Sequence, residues 1–282
     1  MTLRSGEVYF SEQSDSFIIP ESISLFGFSV SFYGIFLVIA ALVGIIIVTE
    51  VNRRRRQSQE WGLTLVTLVI VCGLLGGRLY YVLFEWHKFV QEPLVLLNLR
   101  SGGLSYFGAL FGAWFAVKSY CRRKNADFIQ SAEVLCFGAA AAAPLVWCGC
   151  AFGREPLGKE YDGLFSVRIG AEYFQKEAET AFVSMHPVAI YGIVFSAAVF
   201  LILCVVMWKK KQSGTVFTLY LVLHAVEVFV LECFREDSYC IWGTDLPVNF
   251  VVSGVILLTI LIGLGRQLSL NKKMKKIHFI GN

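Results

Sequence analysis

Apolar residues along the chain fall into blocks near 25–49, 62–86, 105–121, 130–152, 184–207, 215–234 and 247–265. Each block is roughly 20 residues long, the length an α-helix needs to cross a bilayer core, so the pattern predicts seven transmembrane helices. Polar or charged stretches separate them. The fold class this implies is all-α: a polytopic membrane protein in which residues 1–282 form one membrane domain. Composition agrees, with 56% hydrophobic residues, 16% charged residues and 24 Phe, and a mean hydropathy of +0.63. No internal repeat or low-complexity tract interrupts the pattern, and no inverted repeat of the transporter kind is visible.

Charge orients the blocks. The cationic runs Arg53–Arg56, Arg122–Lys124, Lys209–Lys211 and Lys272–Lys276 each follow an odd-numbered block. Cytoplasmic loops carry the Lys/Arg excess, which places the N-terminus outside and residues 266–282 inside as a basic cytoplasmic tail. A signal peptide has its positive charges before its apolar core; here they follow it, so helix one is expected to stay as an anchor. The formal charge of +4 comes largely from these runs. They serve topology and anionic-lipid contact, and imply no nucleic-acid partner. The outer segments 1–24, 87–104, 153–183 and 235–246 are longer and mixed in charge. The loop 153–183, between helices four and five, holds Arg154, Glu155, Lys159, Glu160, Asp162, Arg168 and Glu172. Chemistry is therefore expected at the outer membrane interface.

Charged side chains inside apolar spans are costly and stand out as candidates. Arg78 sits in "LLGGRLYYVLFEW", behind two Gly that let a backbone or a ligand approach closely; a structural ion pair or a snorkelling side chain explains it equally well. Glu133 opens helix four and reads most simply as a partner of that helix's dipole. His224 with Glu227, and Glu232 with Arg235, are three apart on helix six and share a face, which suits internal pairing. His186 enters helix five beside Pro187, a normal helix start, and a lone His there is more often structural than catalytic. The eight Cys show no metal-ligand spacing, so no metal and no cofactor is expected. Cys148 and Cys150 point to different sides of one helix, whereas Cys233 and Cys240 flank the outer end of helix six, where pairing is open.

Six stretches, in order, resemble the bacterial prolipoprotein diacylglyceryl transferase family: "GFSVSFYGIFL", "GGRLYYVLF", "SGGLSYFGALFGAWFAV", "CGCAFGREPLG", "HPVAIY" and "LECFRED". The resemblance runs through nearly the whole chain. It implies a seven-helix enzyme of the bacterial cytoplasmic (inner) membrane that moves diacylglyceryl from phosphatidylglycerol, or another anionic phospholipid, onto the lipobox cysteine of a prolipoprotein. It implies prolipoprotein signal peptides as partners and a monomer as the working unit. Family positions kept are Tyr33, Arg78, Gly102, Gly103, Glu155, Gly158, His186, Tyr191, Glu232 and Arg235. From these, Glu155, Arg235 and His186 are expected to act in catalysis. Tyr33, Arg78, Gly102, Gly103, Arg154, Gly158, Tyr191 and Glu232 are expected to bind substrate.

The departures fall where the family does its chemistry. Phe107 stands in place of an essential His, Trp147 of an Arg and Cys150 of an Asn. Ala189 and Gly192 replace a Gln and a Glu, and Val228 another Arg. The reaction needs a thiolate nucleophile and cations on the leaving phosphate. Arg235 meets the second need, joined by Arg154 if the helix end turns it inward. The first falls to Glu155, given apolar surroundings that raise its pKa, or to His186. Cys150 is open to two readings, a small packed residue or a resident thiol that carries the lipid itself. Two functions follow from the resemblance: a divergent phospholipid-dependent transferase, or an inactive relative that binds a phospholipid or lipopeptide.

Overall fold

The computed structural model describes residues 8–10, 22–25, 28–84, 90, 106–170, 182–209, 213–238, 240 and 244–263. The described elements are, in chain order, β1 (Val8–Phe10), β2 (Ser22–Leu25), β3 (Phe28–Ser31), α1 (Phe32–Arg54), α2 (Gln59–Phe84), α3 (Tyr106–Arg123), α4 (Phe128–Gly153), β4 (Val167–Gly170), β5 (Phe182–Met185), α5 (Val188–Lys209), α6 (Thr215–Glu232) and α7 (Val248–Gly263). Five of these helices, α1, α2, α4, α5 and α6, are long and apolar enough to cross a membrane. The other two expected spans are helical but fall short. α3 carries Lys118, Arg122 and Arg123 within its 18 residues, and α7 is a shorter apolar helix.

Short strands add to the all-α expectation. β2 and β3 pair antiparallel in a register that sets Ser22 against Ser31, Ile23 against Val30 and Ser24 against Ser29. The apolar block expected to begin at 25 therefore opens with strand, and its helix starts at 32. Ser31 caps that start, its Oγ accepting the Gly34 N–H at 3.2 Å. Ser58 does the same for α2 through the Trp61 N–H, and Asp127 for α4 through the Ile129 N–H at 2.8 Å. A second sheet, in the order β1-β4-β5, is antiparallel throughout.

The chain divides into two compact units, one of residues Met1–Ala41, Ala140–Lys210 and Thr218–Asn282, the other of Leu42–Ala139 and Lys211–Phe217. In the second unit α2 and α3 meet glycine to backbone. A Cβ at Gly76 would strike the Gly108 carbonyl, and one at Gly112 the Cys72 carbonyl. Leu65, Val117 and Cys121 are buried together beside Trp61 and Tyr120. Glu133, expected to serve its own helix dipole, instead joins two other segments. Its Oε2 pairs with Arg55 at 3.1 Å, and its Oε1 accepts the Val216 N–H at 3.2 Å, so it caps the start of α6. A buried carboxylate needs such partners to be tolerated.

Candidate active site

Within the first unit, the end of α4 begins the site. The Glu155 N–H donates back to the Cys150 carbonyl at 3.2 Å, while Arg154 takes a left-handed backbone with φ 56°. This is the helix-ending motif in which glycine usually occupies the left-handed position. The turn swings Arg154 out of the helical path, and the residue is buried, 8% exposed. Glu155 is exposed.

Backbone hydrogen bonds then draw distant segments together. Residues 157–161 lie between the tail of α6 and the end of β5. On one side, the Lys159 N–H donates to the Phe234 carbonyl at 2.8 Å and the Glu236 N–H to the Leu157 carbonyl at 3.0 Å, with Gly158 bridged to Arg235. On the other, the His186 N–H donates to the Lys159 carbonyl at 3.0 Å and the Tyr161 N–H to the Ser184 carbonyl at 2.9 Å. Gly158 sits where the strands close up: a Cβ there would run into the His186 carbonyl. The Lys159 ammonium adds a bond to the Cys233 carbonyl at 2.9 Å. This mesh places Gly158, His186 and Arg235 next to one another in space.

His186 is held by aromatic rings. It stacks on Tyr161 with centroids 4.1 Å apart and meets Phe234 edge-on at 5.0 Å. Its Nδ1 lies 3.3 Å from the Tyr191 hydroxyl. Burial, and secondarily the Lys159 charge, hold its pKa below the ordinary histidine value. The imidazole is therefore neutral at pH 7 and able to accept a proton. At the end of α6, Glu232 is 2% exposed. Its Oε2 accepts from Arg235 Nη1 at 3.3 Å and from Asn249 Nδ2 at 2.7 Å. Arg235 Nε donates to Asp237 Oδ1 at 3.1 Å. The two carboxylates fix the guanidinium in one orientation.

Cys150, Arg154, Glu155, Gly158, His186 and Ala189 all line one open cleft. The Glu155 carboxylate acts electrostatically on both Tyr33 and Cys150, and Arg235 acts on Cys150. Tyr33 lies against the backbone of Gly149 on α4, and Phe152 stacks on Phe32 and Phe36. One turn from Cys150, the Trp147 ring occupies the space over Gly192, where a Cβ would fall among the ring's atoms.

Of the expected site residues, the cleft brings together Arg154, Glu155, Gly158 and His186; Arg235 is bridged to Gly158, Tyr191 touches His186, Glu155 acts on Tyr33, and Glu232 pairs with Arg235. Arg78 belongs to the other unit, where it is buried and its guanidinium lies 5.7 Å from the Tyr81 ring centre. Gly102, Gly103 and the Phe107 side chain lie outside the described residues. Cys233 and Cys240 are free thiols. His224 and Glu227 do pair, at 3.1 Å. Asn249, Asp237, Lys159 and Tyr161 were not anticipated. Asn249 had a signal, a polar residue opening an apolar block; Lys159 and Tyr161 act through a backbone pairing that no side-chain pattern reveals. Among the described residues, no group of three or more His, Cys, Asp or Glu is placed to hold a metal ion.

The sequence profile of the prolipoprotein diacylglyceryl transferase family matches residues 20–265. The chain is similar to proteins named phosphatidylglycerol–prolipoprotein diacylglyceryl transferase in several bacteria. With that of Clostridioides difficile (strain 630) it is 26% identical over 233 residues, 83% of this chain and 90% of the relative. With that of Symbiobacterium thermophilum it is 27% identical over 248 residues, 88% of this chain and 92% of the relative. With that of Bacillus cereus (strain B4264) it is 28% identical over 225 residues, 77% of this chain and 81% of the relative.

Proposed function

The chain belongs to the prolipoprotein diacylglyceryl transferase family, and from that membership we propose that it moves diacylglyceryl from phosphatidylglycerol to the lipobox cysteine thiol of a prolipoprotein. The sulfur–carbon bond forms as the carbon–oxygen bond to phosphate breaks, glycerol 1-phosphate leaves, and the thiol proton passes to a base. The observation that supports this reading is the backbone mesh that joins Arg235 to Gly158, which lines a cleft with His186, Arg154 and Glu155.

In this reading Arg235, oriented by Glu232 and Asp237, and the inward-turned Arg154 hold the phosphate and stabilise the charge that grows as it leaves. Neutral His186 takes the thiol proton, and exposed Glu155 orients the incoming thiol or receives that proton in turn. Tyr191 fixes the imidazole, while Tyr33, Gly158 and Glu232 shape the cleft. Arg78, Gly102 and Gly103 are assigned to lipid binding from the family motifs that hold them. The protein is one membrane domain with seven spans in the bacterial cytoplasmic membrane, N-terminus outside and C-terminus inside, and works as a monomer.

Trp147 over Gly192 favours a second reading. A cation is missing where the family holds one, and its space is filled by an apolar ring, as suits a relative that binds a phospholipid or lipopeptide without transfer. Purified protein with radiolabelled phosphatidylglycerol and a lipobox peptide separates the two. Diacylated peptide is the expected result; bound lipid with no product, where an intact family member is active in the same assay, would establish the second reading instead.

A further inference from the structure

On α4, Trp147, Cys150 and Ala151 are spaced by three and four residues and share one face, and Arg154 follows just past the helix end. On α5, Ala189 and Gly192 are three apart and also neighbours on a face. Cys150, Ala151, Arg154 and Ala189 line the cleft, and Trp147 meets Gly192. α4 ends at the cleft and α5 begins there, so Trp147 and Gly192 both lie about one turn, roughly 5 Å, further from those helix ends. The indole is therefore the layer directly beneath the cleft. It is closely seated: a Cβ on Gly192 would fall 2.5 Å from Cε2 and 2.6 Å from Cε3 of the ring. The Ser196 hydroxyl bonds back to the Gly192 carbonyl at 2.6 Å, and the three atoms nearest the Gly192 Cβ position all belong to the Trp147 ring.

The cleft thus has a chemical gradient, with Arg154, Glu155 and His186 at its polar end and Ala189, Cys150 and then the indole below. A phospholipid fits it with phosphate at the cations and glyceryl carbons towards the apolar end. We infer that Trp147 is the specificity-determining floor of this cleft: its indole, seated in the gap that Gly192 leaves, stops a bound lipid at the level of Cys150 and Ala189. The site admits the phosphate and glyceryl parts and excludes acyl bulk from between α4 and α5. The inference rests on the reading of the cleft as a phospholipid site.

Cys150, directly above the floor, reports its depth without any lipid. In purified full-length protein, Cys150 is modified with a methyl and with a benzyl methanethiosulfonate, and peptide mass mapping separates it from Cys148. Trp147→Ala is expected to raise the benzyl-to-methyl rate ratio about tenfold or more, and Trp147→Phe less. Native mass spectrometry then compares phosphatidylglycerol bearing straight chains with phosphatidylglycerol bearing branched phytanoyl chains. Wild type is expected to favour the straight-chain lipid about tenfold or more, and Trp147→Ala to lose that preference. A rate ratio unchanged in both variants while the lipids still bind would overturn the floor and leave the lipid site standing. A shifted ratio with neither lipid bound by wild type would leave the depth stop and remove the phospholipid reading. If Trp147→Ala does not fold, Trp147→Phe carries both comparisons at smaller amplitude.

Discussion

Two helix contacts in this protein use glycine in opposite ways. Between α2 and α3, glycine faces main chain: Gly76 meets the Gly108 backbone, and Gly112 meets the Cys72 carbonyl. Between α4 and α5, Gly192 faces a side chain, the Trp147 ring. Close approach of small residues is a normal way to pack helices in membranes. What differs is what can yield. A carbonyl in a helix has nowhere to go, whereas an indole can shift or be replaced. The first contact is fixed scaffolding; the second is adjustable and lies next to the residues that line the cleft. A glycine in an apolar helix says that something comes close, and only its neighbour says what.

The largest expected effect is at the rigid contact. Gly112→Ala drives a methyl into the Cys72 carbonyl and should cost about 3 kcal/mol, the upper range for overpacking. No side-chain truncation at position 72 should recover it in a denaturant titration. Tolerance to within about 0.5 kcal/mol would remove the contrast. At the adjustable contact, Gly192→Ala should cost about 1–3 kcal/mol. There Trp147→Phe should return much of the loss, a coupling of about 1 kcal/mol in a double-mutant cycle. Strict additivity would show that the two residues do not share their space as described.

A smaller effect is expected just past the end of α4. Arg154→Gly relieves a left-handed backbone but removes a buried side chain with its contacts, so thermal unfolding should move by no more than about 1 kcal/mol. The same change should weaken phosphatidylglycerol binding about tenfold, the share of one charge-assisted phosphate contact. The smallest effect concerns pH. Burial and the Lys159 charge depress the His186 pKa, so the neutral, proton-accepting ring persists to lower pH than for an ordinary histidine. The acid limb of kcat/KM should then lie below about pH 6.5. Lys159→Gln should move it upward by a fraction of a unit, and a limb that begins above pH 6.5 and ignores this change would exclude His186 as the base.

Much of the membrane architecture was legible because a bilayer imposes one length and one composition on every span. The same smoothing hid detail. Ser22, Ser24, Ser29 and Ser31 alternate with apolar residues in a two-residue period that marks strand, yet the stretch from 25 onward was absorbed into the first apolar block. Glu133 was legible as an N-terminal carboxylate, but its partners Arg55 and Val216 are far away in sequence. Candidate site residues came from motifs; their assembly could not, because Gly158, His186 and Arg235 are joined through main-chain bonds that carry no residue-type signature. Arg154 was the hardest to read. Its inward turn depends on a left-handed backbone at a residue that is not glycine.

Titration of fluorescent phosphatidylglycerol onto wild type, Arg235→Lys and Arg235→Ala tests the phosphate-binding role of the cleft most directly. Wild type should bind, Arg235→Lys should keep part of the affinity, and Arg235→Ala should lose about tenfold or more, because a fixed guanidinium is worth more to phosphate than a point charge. Equal affinity in all three proteins, each shown to be folded by the same thermal unfolding transition, would contradict a phospholipid held at this site.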